Sequence, residues 1–273
     1  MANLYKKIQK NFFGIYKACN NKFWYGCGSY LIDGKKYKYQ KSFKKKQELL
    51  FNLAKSSKSI LEVGVYMGHS ILIMLTSNPK LKIVGIDSDD RFSPKAIKFL
   101  KKKFPKSKIN FILGDSIENL KKINRKFDLY HIDGDHKPKK IYNEIIECIR
   151  INDRKTIKIL FDDIDVMENV EKAILKCFKV KKYIKPKIKY TNLYIEFDVD
   201  KESVNKFKKY YYYHYFLIPD SIQNTIFPYI KKILRFMVKF FFGKKLSNYL
   251  GKFLIRKTSI GTLKILGKKL ENI

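Results

Sequence analysis

Arginine is scarce in this chain: only six of its 59 basic residues are arginine, although 25 acids leave a formal net charge of +34. Arginine's forked guanidinium is the usual reader of phosphates and bases. Lys, Ile, Asn, Tyr and Phe are all abundant and share A/T-rich codons, so a biased genome composition produces the same excess of lysine. The charge alone therefore assigns no nucleic-acid or membrane partner, because basic residues bind such surfaces only when clustered. Cysteine is also sparse: Cys19, Cys27, Cys148 and Cys177 are widely spaced and form no metal-ligand pattern. They are expected as reduced thiols in a cytosolic compartment. No stretch reaches the ~18 uninterrupted apolar residues of a membrane span. The opening MANLYKKIQKNFFGIYKACN has neither a continuous apolar core nor a small-residue cleavage site, so it is not expected to act as a secretory signal.

The hydrophobic content of 45% excludes a disordered chain, and 273 residues are enough to bury a full core. From Gln47 the pattern becomes regular. Strands are predicted at 59–63, 82–87, 109–113, 128–133 and 157–161, with helices at 47–54, 69–77, 94–104, 116–123, 138–150 and 167–178. Each strand is apolar nearly throughout, as when helices cover both faces of a sheet. Two last strands, near 180–187 and 190–198, have no helix between them and predict an antiparallel hairpin. The expected fold is α/β: a doubly wound, mostly parallel Rossmann-like sheet with a C-terminal hairpin and a helical C-terminal extension. This organisation divides the chain into a mixed, aromatic N-terminal segment (1–45), a central α/β domain (46–200) and a basic, aromatic helical extension (201–273).

Three strand ends carry chemistry, which points to an active site at the carboxyl edge of the sheet. The first is Glu62-Val63-Gly64-Val65-Tyr66-Met67-Gly68-His69-Ser70. Gly64 permits a tight turn, and Gly68 lets a ligand approach free backbone N–H groups at a helix start. The second strand ends on Asp87, about 20 residues further on, where a carboxylate can accept hydrogen bonds from ribose hydroxyls. Turn and acid together indicate an adenosine-type ligand. Val65-Tyr66 stands where the dinucleotide fingerprint has its second glycine, and no G-x-x-x-x-G-K-[ST] phosphate loop is present.

These residues resemble the class I S-adenosylmethionine-dependent methyltransferases, whose first motif is ExGxxxGxS. The resemblance spans 47–198 and implies a cofactor site at Glu62, Gly64, Tyr66, Gly68, Ser70, Asp87 and Asp133, with Asp115 and Ser116 beside the adenine. Within that superfamily, HIDGDH (131–136) followed by FDD (161–163) is similar to the metal-dependent O-methyltransferases, above all those acting on sugar hydroxyls and more distantly the catechol type. The resemblance implies Mg²⁺ held by Asp133, Asp162 and Asp163, with Asp135 as general base and His136 assisting it or binding substrate. The chemistry agrees: magnesium takes hard oxygen ligands and lowers the pKa of a bound hydroxyl, and a nearby carboxylate removes its proton. An Asp at a strand end can also be a helix N-cap, and that alternative stands for Asp162 and Asp163. His131 is expected to pack within the sheet, and His69 to face solvent or line the ligand site. Trp24 and Tyr25 are expected either to form a substrate lid or to dock in the core.

The expected reaction is methyl transfer to a hydroxyl of a small polyol, a sugar or glycan in first place. The other two readings are a nucleic-acid methyltransferase and a degenerate methyltransferase fold acting as a membrane adaptor. No Asn-Pro-Pro-Tyr or Asp-Pro-Pro-Tyr follows strand four, and acids stand where ribose methylation in RNA uses lysine, so nucleic acid is not favoured. Lys231, Arg235 and Lys239 form a cationic stripe on an otherwise apolar helix pattern at 226–242. That pattern suits a helix packed on the catalytic domain or on an oligomer partner, and also one lying at a membrane surface.

Overall fold

The computed structural model describes residues 2–166, 168–186 and 191–215, and the chain divides into two compact units, Met1–Lys208 and Lys209–Ile273. The cationic stripe at 226–242 lies outside the described residues. Among the described residues no helix is long and apolar enough to cross a membrane.

The first unit is built on seven strands: β1 (Ser59–Val63), β2 (Lys82–Asp87), β3 (Lys108–Leu113), β4 (Leu129–Ile132), β5 (Thr156–Phe161), β6 (Lys179–Ile184) and β7 (Leu193–Asp198). They form one sheet in the order β3-β2-β1-β4-β5-β7-β6. The first five strands in that order pair in parallel, and β7 pairs antiparallel with both β5 and β6. Parallel neighbours require crossovers, and the intervening helices supply them: α3 (His69–Ser77), α4 (Ser93–Lys103), α5 (Ser116–Lys121), α6 (Pro138–Ile151) and α7 (Glu168–Cys177). The doubly wound sheet and its terminal hairpin are as expected.

The order reverses between β1 and β4, and a crevice opens beyond the carboxyl ends of strands at such a switch point. Here the two strand ends touch. A Cβ on Gly64 would lie 2.0 Å from the carbonyl oxygen of Asp133, and Gly64 has φ +86°. Only glycine permits both the left-handed turn and that contact. The glycine loop and the DGD segment are thereby locked side by side.

Ala2–Ala18 forms helix α1, which packs on α3 and α4 through Ile8, Phe12 and Ile15, all fully buried. Each side chain of this size contributes about 1.5–3 kcal/mol on burial. Gly14 allows the close approach, because a Cβ there would meet the Phe99 ring at 2.4 Å. Tyr30, Leu31 and Ile32 also join the core. Helix α2 (Lys44–Lys55) follows and buries Lys46, Gln47, Leu50 and Ala54, one face at i, i+1, i+4 and i+8. Helix α8 (Lys201–Tyr215) opens the predicted extension, yet its Phe207 is fully buried against Tyr142 and Phe178.

Candidate active site

A cavity of about 820 Å³ opens at the β1/β4 switch point. Its size is that of a small-molecule site. Three chain segments wall it: the N-terminal stretch from Trp24 to Tyr30, the glycine loop from Gly64 to Ser70, and the strand ends bearing Asp133, Asp135, His136, Asp162 and Asp163. Asp33 and Lys46 complete the charged lining. In a chain of net charge +34, five carboxylates and one lysine here make an acidic hollow.

Lys46 stands at the centre of the acids. Its ammonium lies 2.8 Å from both carboxylate oxygens of Asp162 and 3.9 Å from Asp163 Oδ1. The rings of Tyr30 and Phe43 flank it at 4.6 and 5.4 Å. Both Lys46 and Asp162 are almost wholly buried, at 2% exposure. Burial acts to lower the lysine pKa, but Asp162, Asp163 and Asp133 outweigh it and hold the ammonium above its ordinary range. Asp163 sits at φ +51°, a left-handed turn that few non-glycine residues adopt. Its carboxyl is pushed up by burial and then by the charge of Asp162, and Asp133 is pushed well up for the same two reasons.

The expected magnesium site therefore needs correction. Among the described residues no group of three or more His, Cys, Asp or Glu side chains converges to hold a metal. Asp133, Asp162 and Asp163 share one cavity, but a lysine ammonium already fills the space between the last two. Magnesium demands near-octahedral oxygen coordination and repels a neighbouring cation. These residues do not fit the metal as arranged. Asp162 is no helix N-cap either, being committed to Lys46 and to the Asp163 N–H at 3.1 Å.

The glycine loop keeps its expected place, with Gly64, Tyr66 and Ser70 on the cavity wall. Gly68 is left-handed at φ +64° and immediately precedes α3. Asp87 differs from expectation. Its Oδ2 accepts from the Val65 N–H at 2.7 Å, the Tyr66 N–H at 2.5 Å and Ser93 Oγ at 3.0 Å, while Oδ1 accepts from the Asp89 N–H. A carboxylate so engaged holds the loop in shape, and its side chain does not line the cavity. Asp115 is the N-cap of α5, accepting from the Ile117 and Glu118 N–H groups, and Ser116 donates to Glu144 Oε1 at 2.6 Å. Neither lines the cavity.

Glu62 is fully buried beneath the loop. It bonds His131 Nδ1 at 2.8 Å, and His131 Nε2 meets the Tyr30 hydroxyl at 2.8 Å. His131 thus packs in the sheet, as expected, while tying β1 and β4 to the N-terminal segment. His69 is buried as well, between Ser29 Oγ at 2.7 Å and the Tyr37 hydroxyl at 2.9 Å. Burial lowers its pKa to about 3, so the ring is neutral. Trp24 and Tyr25 remain exposed at the rim, the Trp24 ring stacked by the Arg91 guanidinium at 3.9 Å and the Trp24 backbone N–H donating to the Tyr66 hydroxyl. Asp135 accepts from the Lys137 N–H at 3.0 Å and stays half-exposed, with His136 beside it.

Sequence reasoning missed Lys46 and Tyr30. A signal was present for the first: Lys46 lies four residues before Leu50 and eight before Ala54, on the face that α2 buries, where an apolar side chain is the norm.

Residues 61–164 match a family model described as a methyltransferase domain. No curated protein matches the sequence. Solved structures with the same fold include cofactor-bound Rv0187 from MTB (15% identity, 67% of this chain and 87% of that one, TM-score 0.52). A putative O-methyltransferase from Klebsiella pneumoniae is similar at 15% identity over 69% and 90%, with TM-score 0.51. The SAH-bound methyltransferase PaMTH1 of Podospora anserina is similar at 13% over 72% and 95%, with TM-score 0.50. The matched residues 61–164 thus span the glycine loop, the switch point and the acidic strand ends, and the chain shares its fold with solved methyltransferases.

Proposed function

We propose that the protein transfers a methyl group from S-adenosylmethionine to a hydroxyl of a small polyol, a sugar or glycan first among them. The acidic hollow in an otherwise strongly basic chain carries this reading. S-adenosylmethionine bears a cationic sulfonium and an ammonium group, and carboxylates in a partly desolvated cavity attract both. The same acids repel a phosphate chain, which disfavours a nucleic-acid acceptor.

The chain's own residues divide the work. Gly64, Tyr66, Gly68 and Ser70 would hold the cofactor along the loop, which Asp87 keeps in shape. When bound, S-adenosylmethionine supplies an electrophilic methyl group on a positively charged sulfur. Asp135 and His136 stand at the cavity wall near solvent, where an acceptor hydroxyl can deliver its proton to either. Trp24 and Tyr25 offer apolar ring surface at the rim for the carbon face of a sugar. The segment 24–30 excludes water from one side, so orientation supplies much of the acceleration.

Calorimetric titration with S-adenosylmethionine, followed by labelled methyl transfer to a panel of sugars and polyols, tests the proposal. Asp135→Asn is expected to slow transfer about 10²–10⁴-fold with cofactor affinity retained. Absence of cofactor binding sinks the reading, and transfer confined to RNA sinks its polyol part.

A further inference from the structure

We infer that the Lys46 ammonium is the resident cation of the acidic cluster at the ends of β4 and β5, so that this site works without a bound divalent metal. The inference about catalysis rests on the methyl-transfer reading above; the inference about the cation does not.

Four observations converge on Lys46. Its nitrogen is equidistant, at 2.8 Å, from the two oxygens of Asp162, and its next carboxylate is Asp163 at 3.9 Å. It reaches this point from α2, an element outside the strand-end motifs, so its place among the acids is not a consequence of their own turn geometry. Tyr30 and Phe43 close over it with their ring faces, the environment that favours an organic cation. Finally, a lysine is almost never fully buried unless paired, and this one is buried with its charge met.

The consequence is a division of labour. A divalent ion could enter only by displacing the ammonium, since two cations cannot share Asp162 in a desolvated pocket. Lys46 reaches the cavity wall almost wholly buried, with its ammonium committed to Asp162. It is a positioning residue: it holds Asp162 and Asp163 and offsets their repulsion, while Asp133 and Asp135 remain on the cavity surface. Activation of the acceptor then falls to a carboxylate or histidine base, without a Lewis acid.

Manganese binding followed by electron paramagnetic resonance on the full chain provides the test, with S-adenosylmethionine calorimetry on the same sample. The wild type should take up no stoichiometric Mn²⁺, and a chelator should leave methyl transfer within about 2-fold of its untreated rate. Lys46→Met removes the charge at similar length and should create a site for about one Mn²⁺ per chain, abolished again by adding Asp162→Asn. Uptake of Mn²⁺ by the wild type, lost in Asp162→Asn, overturns the inference, as does a folded Lys46→Met that binds none. If Lys46→Met does not fold, the wild-type titration decides by itself: uptake overturns the inference and its absence supports it. Failure of cofactor binding in that sample would count against the methyl-transfer reading alone.

Discussion

Two buried acids in this domain are handled in opposite ways. Asp162, at the end of β5, is met by a full positive charge on Lys46. Glu144, on α6, is fully buried with a neutral partner, the Ser116 hydroxyl, and its second oxygen has no hydrogen-bond partner. Burial pushes Glu144 up to about 7, whereas the Asp162 site keeps an ion pair. Burial alone therefore does not set an acid's charge state; the charge of its partner does. At the cavity a carboxylate meets an ammonium, whereas the α5–α6 interface is built to become neutral.

The largest break in that comparison comes from the ion pair. Lys46→Met strands Asp162 and should cost about 3–5 kcal/mol in denaturant unfolding, while Lys46→Met/Asp162→Leu should recover most of it. Equal destabilisation in single and double variants would show that packing, not charge, governs the site. Next comes Glu144. Its carboxyl pKa is raised in the folded state, so its contribution to stability is fully present below the ordinary glutamate pKa and is lost as pH rises through about 7. The wild type should lose about 3 kcal/mol between weakly acidic and weakly alkaline pH, and Glu144→Gln should flatten that slope. A slope unchanged in Glu144→Gln would assign the effect to another group. The smallest effect is expected from Ser116→Ala, about 1–2 kcal/mol at neutral pH. Because the serine hydroxyl favours the ionised acid, its loss should also move the stability transition to higher pH, seen as a higher Glu144 pKa by NMR titration. A lowered pKa would refute that role.

Much of the fold was legible because local pattern suffices for it. Apolar runs alternating with helical periodicity define β1 to β5 and their crossovers, and the missing helix before β7 marks the hairpin. Helix α1 was missed although Ile8, Phe12 and Ile15 follow helical spacing, because lysines and aromatics blur its faces. At the site, the glycine loop and all four acids of the DGD and FDD segments do line one cavity. Their partners were not legible. Asp87 has the same local surroundings whether it faces a ribose or the Val65 and Tyr66 amides, and only the folded loop distinguishes the two.

The sequence by itself determined the alternation of strands and helices, the terminal hairpin and which carboxylates stand at strand ends, since these follow from hydrophobic periodicity along the chain. Tertiary structure alone decided what those carboxylates face. Lys46 belongs to a run of three lysines that a local reading assigns to solvent. It becomes the centre of the site only because α2 packs with that face inward, and a charge's role depends on its distance from other charges, which sequence separation does not encode.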